Sequence, residues 1–188
     1  MPPATADRSG SAGNLHYDRL SKWFHWVTAL LVLVLWLIGL GIELFPKGWL
    51  RNSVRSIHVV VGLALLALTV VRVTWRFAGA RHPERPDKGL LSRLARHAHW
   101  VLLGWLGLTL LAGVLDAWVR GVPVFGWWAF TSPAPGVRWI RKAVGGVHEW
   151  LGHGLIVLAS LHALAALWHH WVLRDGVLRS MLPTRSRT

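Results

Sequence analysis

Residues 143–172, AVGGVHEWLGHGLIVLASLHALAALWHHWV, are apolar enough to cross a bilayer and yet carry five histidines. Some 20 apolar residues already span the roughly 30 Å of hydrocarbon as a helix. An ionisable group in that medium is costly, so an imidazole there implies a function or a fixed partner. A helix turns about 100° per residue, which brings His148 and His162 within roughly 40° of each other and about 21 Å apart along the axis. One face therefore offers an imidazole at each of two depths. His153 lies about 140° round from His148 and is expected to pack or to face lipid. His169 returns to the His162 face one heptad later with His170 beside it, and the helix alone does not decide what either does.

The rest of the chain has the same character. It is 53% hydrophobic and 15% charged over 188 residues, where soluble domains carry about a quarter charged residues. A net charge of +13 raises the question of nucleic acid, but the basic residues lie between apolar runs and build no basic helix or binding module. With no cysteine, disulfides, thiolate metal sites and the thioether attachment of c-type haem are excluded. Fourteen tryptophans against one tyrosine, many at the ends of apolar runs, suit an interfacial aromatic belt.

Taken in order, residues 1–18 are rich in Pro, Ala, Gly, Ser and charge and read as a disordered cytoplasmic tail. One domain follows over 19–183, with membrane helices expected at about 20–44, 54–77, 94–118 and 143–172, and then a basic tail at 184–188. The first run is too long for a secretory signal and lacks a small-residue cleavage site, so it reads as a retained anchor. His97 and His99, at the polar start of the third run, read as solvated. The linker GVPVFGWWAFTSPAPGVR is broken by Pro and Gly but strongly aromatic, and is expected to cap the bundle at the interface, with a short helix at its end. The fold class is all-α, an integral membrane four-helix bundle. The terminal segments and the loop between the second and third runs hold fourteen Lys and Arg against seven in the other two loops, which puts both termini in the cytoplasm.

With that topology His25 and His162 fall in the inner half of the bilayer, and His58 and His148 in the outer half. Two pairs at matched depths suit cofactor sites built from inward-facing side chains of facing helices, and neutral imidazole is a common axial ligand of haem iron. The bland alternative is hydrogen bonding between helices. Arg72 and Arg76 return to the His58 face at its cytoplasmic end, either to meet haem propionates or to snorkel toward anionic lipid. Gly62, one turn after His58, serves either a close porphyrin approach or small-residue helix packing.

These residues resemble the bacterial cytochrome b-561 family, four-helix di-haem proteins that include superoxide oxidase. The resemblance rests on YDRLSKWFHW at 17–26, SIHVVVG at 56–62, VVRVTWR at 70–76, VHEWLGH at 147–153, LHALAALWHH at 161–170 and RDGVLRSMLP up to Pro183. It implies two non-covalent b haems, one on His25 and His162 and one on His58 and His148. It also implies an inner-membrane electron relay with ubiquinone near the cytoplasmic face, where His169 is the quinone-side candidate and His170 a second one. The tryptophan density and the aromatic linker depart from the family pattern, so contacts there are not carried over.

The function expected is electron transfer from a periplasmic donor, superoxide first, to ubiquinone. The outer loops carry seven basic residues against Glu43, Asp116 and Glu149, which makes Lys47, Arg51, Arg55, Arg138, Arg141 and Lys142 a candidate anion-steering surface. Two alternatives stand beside it: a haem-containing membrane anchor that reduces quinone for a periplasmic dehydrogenase or cytochrome, and a haem-free divalent-metal carrier. The partners expected are the lipid bilayer, quinone and superoxide or a periplasmic redox protein, with no nucleic acid.

Overall fold

The computed structural model describes residues 19–78, 90–174 and 177–182. The tails expected at 1–18 and 184–188 lie outside the described residues. Helix α1 (Arg19–Gly41) runs into a 3-10 turn (Ile42–Leu44) and is followed by α2 (Trp49–Phe77) and α3 (Leu90–Arg120). A two-stranded hairpin, β1 (Pro123–Val124) and β2 (Trp128–Ala129), precedes α4 (Arg138–Trp168), a π turn (His169–Leu173) and the short α5 (Val177–Met181). Among the described residues four helices are long and apolar enough to cross a membrane.

Three of the four start earlier than hydropathy alone suggests: at 49 rather than 54, at 90 rather than 94, and at 138 rather than 143. Hydropathy marks the part of a helix that suits lipid, whereas the helix continues through interfacial polar residues until the backbone turns. For α2 that point is Gly48, at φ 140°, whose carbonyl accepts from Asn52 N–H. α3 ends where Gly121, at φ 62°, takes the left-handed conformation a side chain disfavours. Its N–H donates to the Trp118 carbonyl, and Val122 N–H donates to that of Ala117. The buried Val122 and Ala117 side chains complete this Schellman stop.

α3 packs most extensively on α4, and α1 on α2, while the seam between α1 and α4 is the sparsest. Leucines such as Leu30, Leu37, Leu108, Leu111, Leu161 and Leu164 point outward, as they do where lipid is the solvent. The buried core is small: Leu35, Leu65, Leu106, Leu110 and Leu155, with Trp105 against it. Leu155 stands seven residues from both His148 and His162. Seven residues are about two turns, so this apolar layer lies midway between the two histidine levels.

The ends of the bundle are tied by polar contacts. Lys22 is buried, and its ammonium donates to the Leu182 carbonyl at 3.2 Å; Trp26 Nε1 donates to that of Met181 at 3.0 Å. The start of α1 and the end of the described chain therefore meet at one end of the bundle. At the other end the linker forms an antiparallel hairpin pairing Pro123 with Ala129 and Val124 with Trp128. Its last residues join α4 instead of making a separate short helix. Phe125, at the hairpin tip, has φ 51°, a strained value for a bulky side chain. Ser56 of α2 holds it: Oγ accepts from Phe125 N–H at 3.1 Å and lies within donating distance of the Pro123 and Asn52 carbonyls.

Ser56 is 1% exposed, so its replacement leaves buried backbone groups unpaired. Ser56→Ala is expected to lower stability in detergent by about 1–3 kcal/mol. Amide exchange at Phe125 should rise well above that of the α2 amides beside it; unchanged exchange there would show that the hairpin is held by something else.

Candidate functional site

The histidines meet at two levels. At the first, His58 of α2 and His148 of α4 have ring centroids 6.1 Å apart and planes at 83°. His148 Nδ1 lies 3.0 Å from the Thr109 carbonyl of α3. A carbonyl only accepts, so Nδ1 carries the proton and Nε2 keeps its lone pair. That hydrogen bond fixes the tautomer and orientation a metal-binding imidazole needs. Thr109 is buried, and its own hydroxyl donates to the Trp105 carbonyl at 2.8 Å. His58 Nδ1 is buried without a hydrogen-bond partner.

A glycine on α3 makes room for this level, and one on α1 borders it. A Cβ added at Gly113 of α3 would stand 2.8 Å from His148 Cε1, and one at Gly39 of α1 would stand 3.5 Å from His58 Cε1. Sequence reasoning chose Gly62 instead, and a Cβ there would meet nothing within 4 Å. That open space gives no support to close helix packing at Gly62.

At the second level His25 of α1 and His162 of α4 have centroids 6.4 Å apart and planes at 66°. His99 of α3 joins them, its ring 5.1 Å from that of His162. The expectation that His99 is solvated is therefore wrong. α3 begins earlier than expected, so His99 sits inside the bundle, on the face that carries Leu106 and Gly113 seven and fourteen residues on. That heptad spacing is the signal that reveals it in the sequence. His97 is exposed and bonds to the Arg93 carbonyl. Arg72 is half-buried and within electrostatic reach of His25 and His99, whereas the Arg76 guanidinium lies 4.8 Å from the centroid of the Trp100 ring. His153 is off both levels and accepts a hydrogen bond from Trp36 Nε1 at 3.2 Å. His169 and His170 fall in the π turn that follows α4.

The donor set fits a metalloporphyrin. Metal–imidazole bonds of about 2 Å on opposite sides of one iron set the two ring centroids roughly 6 Å apart, close to both observed spacings. The orphaned Nδ1 of His58 and the glycine beside each ring at its level fit the same group.

The basic residues are less uniform than their count suggests. Arg51 donates to a Glu43 carboxylate oxygen at 2.7 Å and to the Phe45 carbonyl, and Arg55 pairs with the same carboxylate at 3.4 Å. Arg120 is held by Asp116 and reaches the Arg141 carbonyl. Lys47, Arg138 and Lys142 are exposed, and Arg141 is half-buried with Nε unpartnered.

Comparison with known proteins gives a consistent result. A family model described as prokaryotic cytochrome b561 matches residues 16–184. The chain is 30% identical over 174 residues to cytochrome b561 homolog 2 of Escherichia coli strain K12, covering 88% of this chain and 90% of that protein. It is 30% identical over 175 residues to a probable superoxide oxidase CybB of Yersinia pestis, covering 90% and 97%. It is 32% identical over 174 residues to cytochrome b562 of Cereibacter sphaeroides, covering 90% and 96%.

The glycine geometry gives a paired prediction. Gly113→Ala is expected to displace the His148 ring and cost about 1–3 kcal/mol, as overpacking does, whereas Gly39→Ala, at ordinary contact distance, should be tolerated. Thermal unfolding midpoints of the two variants in detergent check this, and equal midpoints would contradict it.

Proposed function

This chain belongs to the prokaryotic cytochrome b561 family, and on that premise we propose that it carries two b haems and passes electrons from periplasmic superoxide to ubiquinone. Membership makes it a multi-pass, haem-binding electron-transport protein of the bacterial inner membrane. The observation that carries the two-haem reading is the pair of imidazole levels sharing α4, with ring spacings of 6.1 and 6.4 Å.

His58 and His148 hold the haem at the periplasmic level, and His25 and His162 hold the other. When bound, haem iron supplies one-electron exchange between its ferric and ferrous states. The Thr109 carbonyl keeps His148 in the ligating tautomer. Arg72 balances propionate charge at the cytoplasmic level, while Arg76 is kept on Trp100 and contributes less. The distribution of Lys and Arg supports cytoplasmic termini.

The donor reading draws support from the charge at the periplasmic end and from the relative named as a probable superoxide oxidase. Two superoxide anions each lose one electron and leave as dioxygen. The two electrons cross to ubiquinone, which takes two protons from the cytoplasmic side to become ubiquinol. His169, with His170 beside it, lies one heptad beyond His162 and supplies a proton-carrying hydrogen bond to the quinone oxygen. Because Glu43 engages Arg51 and Arg55, steering falls mainly to Lys47, Arg138, Arg141 and Lys142. The metal-carrier alternative draws no support from the described residues, among which no group of three His, Cys, Asp or Glu is placed to hold a metal ion.

The purified protein is expected to hold two haems per chain, and His58→Ala or His148→Ala one; loss of both, or of neither, contradicts the pairing. Haem reduction by superoxide should be fast and should slow severalfold as ionic strength rises, since exposed charges are screened over about 10 Å at 0.1 M salt. Arg138→Gln with Lys142→Gln should weaken that salt dependence more than Arg51→Gln, and a salt-independent rate would remove superoxide steering.

A further inference from the structure

The third imidazole at the cytoplasmic level has no part in the pairing described above. We propose that His99 is a reserve axial ligand, able to replace His25 opposite His162, so that this level can hold its haem between α3 and α4 as well as between α1 and α4. The proposal rests on the two-haem reading and deepens it.

Three observations carry it. His99 Nδ1 lies 2.6 Å from the Ala95 carbonyl, which can only accept, so the proton is on Nδ1 and the lone pair on Nε2. His148 Nδ1 is also held by a carbonyl, that of Thr109 on the neighbouring α3, whereas Ala95 lies one turn back on His99's own helix; a bond to the far nitrogen is the usual support of a metal-binding imidazole. Second, the His99 ring is 5.1 Å from that of His162 and edge-on to it at 75°, while His25 is at 6.4 Å and 66°. His99 needs to withdraw by about 1 Å to leave the roughly 6 Å that an iron between two imidazoles requires, a shift within the reach of a side-chain torsion. Third, His99 stands on α3, the helix most extensively packed on α4, whereas His25 faces α4 across the sparsest seam of the bundle. The ligand from α3 is the one whose distance to His162 the fold holds best.

The two arrangements exclude each other. Among the described residues no three such side chains are grouped to hold one metal ion, so His25, His99 and His162 form two possible pairs and no triad. With His25 in place, His99 is the spare; with His25 absent, it completes the coordination.

The test uses the full-length protein purified with its haem, read by haem content and by electron paramagnetic resonance for spin state and axial ligation. His25→Ala is expected to keep two haems per chain, both six-coordinate and low-spin with two imidazoles. His25→Ala combined with His99→Ala should fall to one haem per chain, or show one five-coordinate high-spin centre. If His25→Ala alone already loses a haem or turns one high-spin, His99 is no ligand and the proposal fails. It fails equally if the double variant keeps two low-spin bis-imidazole haems. The haem at His58 and His148 reports folding in every variant. Wild-type protein with fewer than two haems would instead overturn the two-haem reading beneath.

Discussion

A neutral imidazole inside a bilayer needs partners for its ring nitrogens, and the bundle meets that demand at His148 and His99 while leaving His58 Nδ1 buried without one. Water is not available there, and each unpaired polar atom is costly. One nitrogen can be satisfied by a backbone carbonyl, whose second lone pair can accept even when the first is used within a helix. Thr109 and Ala95 supply such carbonyls to His148 and His99. The other nitrogen is left with a lone pair, and in this chain each of these rings lies beside a second imidazole, with centroids 6.1 Å apart for His148 and His58 and 5.1 Å for His99 and His162. The close packing of α3 on α4 is therefore part of the site as much as of the scaffold, because a histidine on α4 is oriented by a carbonyl on α3.

The same demand explains the glycines. Rings that stand between helices need flat backbone on either side, and Gly113 and Gly39 provide it at the His58 and His148 level. Gly154 does the same for Trp105, whose indole lies against it and donates to the Leu151 carbonyl at 2.8 Å. Small residues on α1, α3 and α4 thus decide where large planar groups lie.

Much of this is legible in the sequence for a simple reason. In four antiparallel spans, the position of a residue along its run fixes its depth, and 100° per residue fixes its face. Those two coordinates were enough to bring His58 to His148 and His25 to His162. Other features depend on what one element does to another. Gly39 and Gly113 matter through helix crossings, which a single run does not encode. Glu43 captures Arg51 and Arg55 because the 3-10 turn after α1 folds back over the start of α2. His99 reads as solvated in the sequence because an apolar run is shorter than the helix that contains it, so a residue inside the bundle stands at the polar edge of its run. The hairpin was missed because Ser56, on a different helix, stabilises a phenylalanine conformation that local sequence disfavours.

The leucine layer between the two histidine levels has an energetic consequence. Leu35, Leu65, Leu106, Leu110 and Leu155 form an apolar layer there, about two helical turns from the histidine level on either side. On the proposed two-haem reading, transfer between the levels would be electrogenic. A full crossing moves one charge through a potential worth roughly 2.3 kcal/mol per 100 mV, so the membrane voltage acts on the redox poise of the two levels in opposite senses. On the proposed two-haem reading the bundle would conduct electrons across one apolar layer built of five leucines, and its throughput would depend on how strongly the cell has energised the membrane.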